Sequence, residues 1–281
     1  MKLMCYRHGG EAALGVVRNE VVIDVTDATG VVADIRSALT PDGLSAIRAR
    51  ADGAQPSHKM DDVEALLPLF PGARVFCIGQ NYVGHIEEMG YDLPEFPSIF
   101  IRTHASFAPH GADIIKPDAS EQFDYEAELT AVIGRPARHI SEADALNYVA
   151  GYTIMNEGSV RDWQRRGPQV TPGKNFDRSG AIGPCIATTE DIPDPAALTM
   201  KTRINGEVRQ STRTDDMVFA FPYLISYIST FCELQPGDMI STGSPSGSAA
   251  GFTPPKWLVP GDVVEMEITQ IGLLRNTVAS E

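Results

Sequence analysis

The chain has 281 residues, 43% of them hydrophobic and 21% charged. That is ordinary for a soluble globular protein and enough for one large domain, or a large domain with a small one, around a sizeable core. A net charge of −14 disfavours nucleic acid or an anionic membrane as partner, and the start of the chain lacks the apolar stretch of a signal peptide while no later run reaches spanning length, so a cytoplasmic protein is expected.

Residues 1–72 read as a small leading α/β domain. Ala13–Val17 and Val21–Val25, joined by Arg18-Asn19-Glu20, suggest a hairpin, and helical patterns follow around Val32–Leu39 and Gly43–Ala51. Pro68, Pro71 and Gly72 then punctuate the chain before the apolar run Val75–Ile78, placing a boundary there and a main domain over 73–281. Cys5, Cys77, Cys185 and Cys232 have no zinc-type or redox-type spacing and read as reduced structural thiols. With no His-x-x-x-His pair, any metal should be a hard one held by oxygen.

The first chemistry lies in Gly79-Gln80-Asn81-Tyr82-Val83-Gly84-His85-Ile86-Glu87-Glu88. A helix beginning after Asn81 sets His85 and Glu88 on one face at i, i+3, where a carboxylate orients an imidazole for use as a general base. A surface ion pair is the competing reading. The run Phe123-Asp124-Tyr125-Glu126-Ala127-Glu128-Leu129-Thr130-Ala131-Val132-Ile133 then reads as one strand. Alternation puts Glu126 and Glu128 on the same side, roughly 7 Å apart, with Tyr125, Ala127, Leu129, Ala131 and Ile133 on a core side. Such like charges either face water or need a cation.

Tyr148 to Met155 is an apolar strand that delivers Glu157 at its polar exit. A third carboxylate from a neighbouring strand completes an oxygen cage that leaves positions for water and substrate, as magnesium prefers. The loop from Arg161 to Pro172 reads as a lid bringing Arg161, Gln164 and the following Lys174 to an anionic substrate. Arg102 and Tyr125 are further candidates for contact with the distal end of a substrate. Beyond these, Asn205-Gly206 marks a hairpin, Pro236-Gly237 and Pro260-Gly261 each feed a strand, and a helix after Pro222 carries Leu224, Ile225, Ile228 and Phe231 on one face.

Taken in order, the stretches Gly79 to His85, Glu126-x-Glu128, Val149 to Tyr152, Ser159-x-Arg161-Asp162-x-Gln164, Gly173-Lys174-x-Phe176-Asp177, Asn205-Gly206-Glu207 and Pro236-Gly237-Asp238 leading to Thr242-Gly243-Ser244-Pro245 resemble the fumarylacetoacetate hydrolase family, in its acylpyruvate and fumarylpyruvate hydrolase branch. The resemblance implies an α+β, mainly β fold, the family's mixed β-roll with a small N-terminal domain, and a homodimer. It implies Mg2+ or Mn2+ on Glu126, Glu128 and Glu157, the last standing where an Asp is usual. It assigns catalysis to His85, Glu88 and Lys174, and substrate contacts to Tyr82, Arg161, Gln164 and Ser244, the last in place of a usual Thr.

The expected activity is metal-dependent hydrolysis of a carbon–carbon bond in a 2,4-dioxo acid, releasing pyruvate and a carboxylic acid. The alternative is a 2-oxo acid decarboxylase or keto–enol isomerase, acting on oxaloacetate or a ring-cleavage dioate through the same metal site.

Overall fold

The computed structural model describes residues 1–26 and 34–281. It is a mixed α+β structure made mostly of strands. The expected N-terminal hairpin forms between Glu11–Arg18 and Val21–Asp24, turning through Asn19 and Glu20 at φ 50° and 63°, the left-handed pair a two-residue hairpin needs. Lys2–His8, which the sequence reading passed over, pairs with it on one side and with Gly180–Thr188 on the other. Of the first expected helix, Ile35–Ala38 is present, and its Val32 end lies outside the described residues; the second runs over Pro41–Gly53.

The large sheet continues from Gly180–Thr188 through Val149–Asn156, Ala127–Ile133, Met239–Ser241 and Val75–Gly79 to Ser98–Arg102. A five-stranded sheet, Glu207–Arg213, Thr199–Ile204, Val263–Ile268, Gly272–Ser280 and Ile114–Lys116, covers one face. Leu129, Ala131 and Ile154 from the large sheet share a cluster with its Met200, Ile204, Val264 and Met266. On the other face Val132, Met155 and Ile182 pack with Leu39, Ile47 and Val75. The three central strands are therefore buried on both sides, and their unbroken apolar character is what such burial demands.

Three sequence expectations change. Phe123 to Ile133 is not one strand: Phe123–Asp124 pairs with Ser159–Val160 in a separate ladder, and pairing in the main sheet resumes only at Ala127. The glutamate side is not wet: Glu126 and Glu128 are 4% and 1% exposed, with Arg161 and Lys174 against the first and Ser241 against the second. On the helix Phe221–Phe231, Leu224, Ile225 and Ile228 are buried but Phe231 is 57% exposed, since the helix ends there and its last turn overhangs the core.

Candidate active site

The break between the two ladders is where the carboxylates gather. Glu126 lies in the unpaired gap, fixed by its N–H donating to Asn156 Oδ1 at 3.2 Å and by its carbonyl accepting the Glu157 N–H at 2.8 Å. The neighbouring strand thus brings Glu157 beside Glu126. Asp124, Glu126, Glu128 and Glu157 are all at most 4% exposed, and such charges are retained only when partnered. Lys174, itself 3% exposed, donates to Glu126 Oε2 at 2.6 Å and Glu157 Oε2 at 2.7 Å. Arg161 divides its guanidinium, with Nε donating to Asp124 Oδ2 at 2.7 Å, Nη2 lying 2.9 Å from Glu126 Oε1, and Nη1 donating to Gln164 Oε1 at 3.0 Å. Ser159 Oγ donates to Glu126 Oε2.

Glu128 turns the other way. Its Oε2 accepts from Ser241 Oγ at 2.5 Å and from the Gly243 N–H at 3.1 Å. Gly243 has φ +89° and a Cβ there would stand 2.7 Å from the Ile78 carbonyl oxygen, so only glycine presents that N–H. Asn81, 1% exposed, holds the surrounding chain by donating to the Phe219 and Thr242 carbonyls and accepting the Phe219 N–H.

The helix Val83–Met89 carries the expected pair, His85 Nδ1 standing 3.3 Å from Glu88 Oε2. The Glu88 carboxylate also accepts the Gly247 N–H at 3.0 Å, which latches the helix to the loop 243–251. Asp124 holds the same loop by accepting the Ala249 N–H at 2.6 Å and the Ala250 N–H at 3.2 Å. Ser244, 5% exposed, accepts from Gln210 Nε2 at 2.9 Å. The structure thus gathers Glu126, Glu128, Glu157, Arg161, Gln164 and Lys174 around one centre, brings His85 near enough to Glu126 to act on its charge, and sets Tyr82 beside Glu128 and Thr242.

Burial works against Glu126, but the Arg161 guanidinium and Lys174 ammonium hold it well below the usual carboxylate range. For Glu128 burial and then the Glu157 carboxylate push the carboxyl well above that range. Burial would depress Lys174, yet Glu126 and Glu157 keep it above the ordinary lysine value. Among the described residues no three His, Cys, Asp or Glu side chains stand ready to hold a metal ion, because Lys174 lies between two of the carboxylates and Ser241 and Gly243 hold the third. The donor chemistry nevertheless fits a hard divalent cation: Glu157 Oε1 is buried without a partner, and Glu128 carries unrelieved repulsion from Glu157 and Glu126. Tyr82 Oη and Asn156 Nδ2 are also buried without partners, a concentration of unmet polar atoms that marks a ligand's place.

Arg102 and Tyr125 turn their polar atoms to protein partners. Arg102 is fully buried behind the carboxylates, donating to Ser106 Oγ, the Ser106 and Gly158 carbonyls and Ser179 Oγ; Tyr125 Oη donates to the Gly247 carbonyl. Asp124 and Gln210 escaped the sequence reading. Asp124 had only its place beside Glu126 to signal it, and Gln210, in a hairpin strand 83 positions from its partner Ala127, had no local signal. A cleft of about 1440 Å3 lies elsewhere, between the N-terminal strands and Pro184–Cys185. Three ion pairs lie in its lining, Arg18 with Asp52, Arg48 with Glu190 and the N-terminus with Asp191.

The family profile described as fumarylacetoacetate (FAA) hydrolase C-terminal matches residues 74–279. The chain is 42% identical over 226 residues to the oxaloacetate tautomerase YisK of Bacillus subtilis (strain 168), covering 79% of this chain and 75% of that one. It is 41% identical over 216 residues to the 4-hydroxyphenylacetate degradation bifunctional isomerase/decarboxylase of Salmonella dublin, covering 76% of this chain and 48% of the other. Among solved structures, a putative HpcE protein from Mycobacterium smegmatis superposes with a TM-score of 0.88 at 32% identity, over 100% of this chain and 99% of that one. Maleylpyruvate hydrolase from Sphingobium sp. SYK-6, in complex with manganese(II) and pyruvate, does so with a TM-score of 0.83 at 27% identity, over 100% and 99%.

Proposed function

The chain belongs to the fumarylacetoacetate hydrolase family, and from that premise we propose that it is a keto–enol tautomerase of a 2-oxo dicarboxylic acid of the oxaloacetate type. The observation that carries the reading is the buried centre of Glu126, Glu128 and Glu157 with Lys174 between two of them and the His85–Glu88 pair beside it. One feature favours a proton shift over carbon–carbon hydrolysis: the curated relatives at 42% and 41% identity are a tautomerase and an isomerase/decarboxylase, whereas the hydrolase stands among the structural neighbours.

Glu126, Glu128 and Glu157 would hold a divalent cation, Mg2+ or Mn2+, which supplies Lewis acidity toward the substrate's 2-oxo group. Tautomerisation moves one proton from C3 to the 2-oxygen, the C3–H electron pair becoming the C2–C3 double bond, with no other atom exchanged. His85 takes or returns the C3 proton, and Glu88, held by the Gly247 N–H, keeps the ring oriented through Nδ1. Lys174 offers its ammonium to the oxygen on which negative charge develops, and Arg161 keeps Glu126 ionised while Gln164 keeps Arg161 in place. Ser244 and Tyr82 receive the substrate's carboxylate end. The covered site keeps the enolate from water.

The test is to add enol-rich oxaloacetate to the protein with and without Mg2+ and follow loss of the enol's ultraviolet absorbance against a protein-free control. Metal-dependent acceleration is expected. No acceleration, together with release of pyruvate and an acid from a 2,4-dioxo acid, would return the reading to hydrolysis.

A further inference from the structure

We infer that Gln210 is a positioning residue that wires Ser244 as a hydrogen-bond donor toward the substrate, and so commits that end of the site to an acceptor such as a carboxylate. The inference rests on the tautomerase reading for its substrate and on the hydrogen-bond network for its logic.

Gln210 is 1% exposed, on the strand Glu207–Arg213 of the five-stranded sheet. Its amide is oriented by two backbone groups of fixed polarity. The Ala127 N–H can only donate, and it faces Gln210 Oε1 at 3.1 Å; the Pro245 carbonyl can only accept, and it faces Nε2 at 3.0 Å. The amide therefore cannot be flipped without leaving both unpaired. Thr202 Oγ1 fills the second site on Oε1 at 2.8 Å, and the second Nε2 proton goes to Ser244 Oγ at 2.9 Å. All four hydrogen-bonding positions of Gln210 are used.

The consequence falls on Ser244. Its oxygen already accepts from an amide, so the hydroxyl's own proton must go elsewhere. Among the described residues the one acceptor it meets is the Pro245 carbonyl at 3.4 Å, a poor distance to an oxygen that Gln210 already serves. Ser244 follows Gly243, whose N–H binds Glu128, so its proton is offered next to the carboxylate centre. A hydroxyl fixed this way recognises an anionic oxygen and has little to give a cationic or donor-only group. The same glutamine ties the substrate loop to Ala127, between the two glutamates, so binding at Ser244 and the position of Glu126 and Glu128 share one side chain.

The experiment is a double-substitution cycle on Gln210 and Ser244, with KM and kcat measured on enol-rich oxaloacetate and unfolding temperature measured alongside. Gln210→Glu keeps the shape but presents only acceptors, so the Ser244 proton turns toward it and is lost to the substrate. Losing one hydrogen bond to a charged group corresponds to a roughly ten- to hundred-fold rise in KM, with kcat changed less. Ser244→Ala should raise KM comparably, Ser244→Thr should not, and Gln210→Glu should add nothing in the Ser244→Ala background. If Gln210→Glu fails to fold, Gln210→Met takes its place in the cycle. Effects of Gln210 and Ser244 that multiply, or a fall in kcat at unchanged KM, would overturn the wiring while leaving the tautomerase reading in place. Absence of turnover by the unaltered chain would instead remove the tautomerase reading and this inference with it.

Discussion

Replacing Lys174 by Met takes away the ammonium that stands 2.6 Å from Glu126 and 2.7 Å from Glu157 while keeping an unbranched chain of similar length. Glu126 retains Arg161 and Ser159. Glu157 keeps no ion pair among the described residues, only the Arg102 charge acting on it from behind, and its Oε1 has no hydrogen-bond partner. Breaking a buried ion pair from one side costs about 3–5 kcal/mol, and the chain can limit the loss by holding one carboxyl neutral, which for a carboxyl of ordinary solution pKa costs about 3.7 kcal/mol at pH 7. The expected loss is about 3–4 kcal/mol, or about 5–7 °C in unfolding temperature for a chain of this size. Calorimetry of the metal-free protein at pH 7 measures it. Mn2+ should raise the variant's unfolding temperature more than it raises the unaltered protein's, because the ion supplies the missing positive charge, and turnover should fall about 100- to 1000-fold. A metal-free variant that unfolds within about 2 °C of the unaltered protein, against the shift expected here, would refute the placement of Lys174 as the centre's compensating cation.

The folded chain holds the Glu128 proton more firmly than the unfolded chain, through burial and then Glu157, so at this group the metal-free protein binds more protons folded than unfolded. Its stability should therefore fall as pH rises above about 4.3 toward the raised folded value; urea unfolding across weakly acidic to neutral pH should show that slope, and Glu128→Gln should flatten it. His85→Ala should lower kcat about 100- to 10,000-fold and leave Mn2+ binding by titration calorimetry unchanged; near-normal kcat would remove His85 as the base. Gly247→Ala places a Cβ 1.9 Å from the Arg209 carbonyl oxygen at φ +92°, displacing the N–H that latches Glu88. It should lower kcat with the carboxylate centre intact, and an unchanged kcat would show that the latch does not matter.

Local signals survive in the sequence and distant ones do not. The hairpin turns at Asn19-Glu20 and Asn205-Gly206 and the helix face joining His85 to Glu88 were legible because each depends on residues a few positions apart. The strand of Glu126 and Glu128 was readable as a strand but not as two ladders, since the break is made by Ser159–Val160 pairing with Phe123–Asp124 across more than thirty residues. Its burial was hidden for the same reason: the layers that cover it come from both ends of the chain. Arg102 reads from the sequence as a candidate contact for the substrate's distal end, yet it is fully buried. Its partners at Gly158 and Ser179 leave no trace near position 102. Gln210 is the plainest case, a polar residue in a hairpin strand whose importance comes wholly from what meets it in space.

The most direct test of the proposed proton shift is a paired incubation of the protein and Mg2+ with enol-rich oxaloacetate and with fumarylpyruvate, followed by ultraviolet absorbance and by proton NMR. The account predicts that the oxaloacetate enol converges on its keto form faster than in the protein-free control, and that fumarylpyruvate keeps its carbon–carbon bond. Metal-dependent release of pyruvate and fumarate, with oxaloacetate tautomerising no faster than in the control, would contradict it.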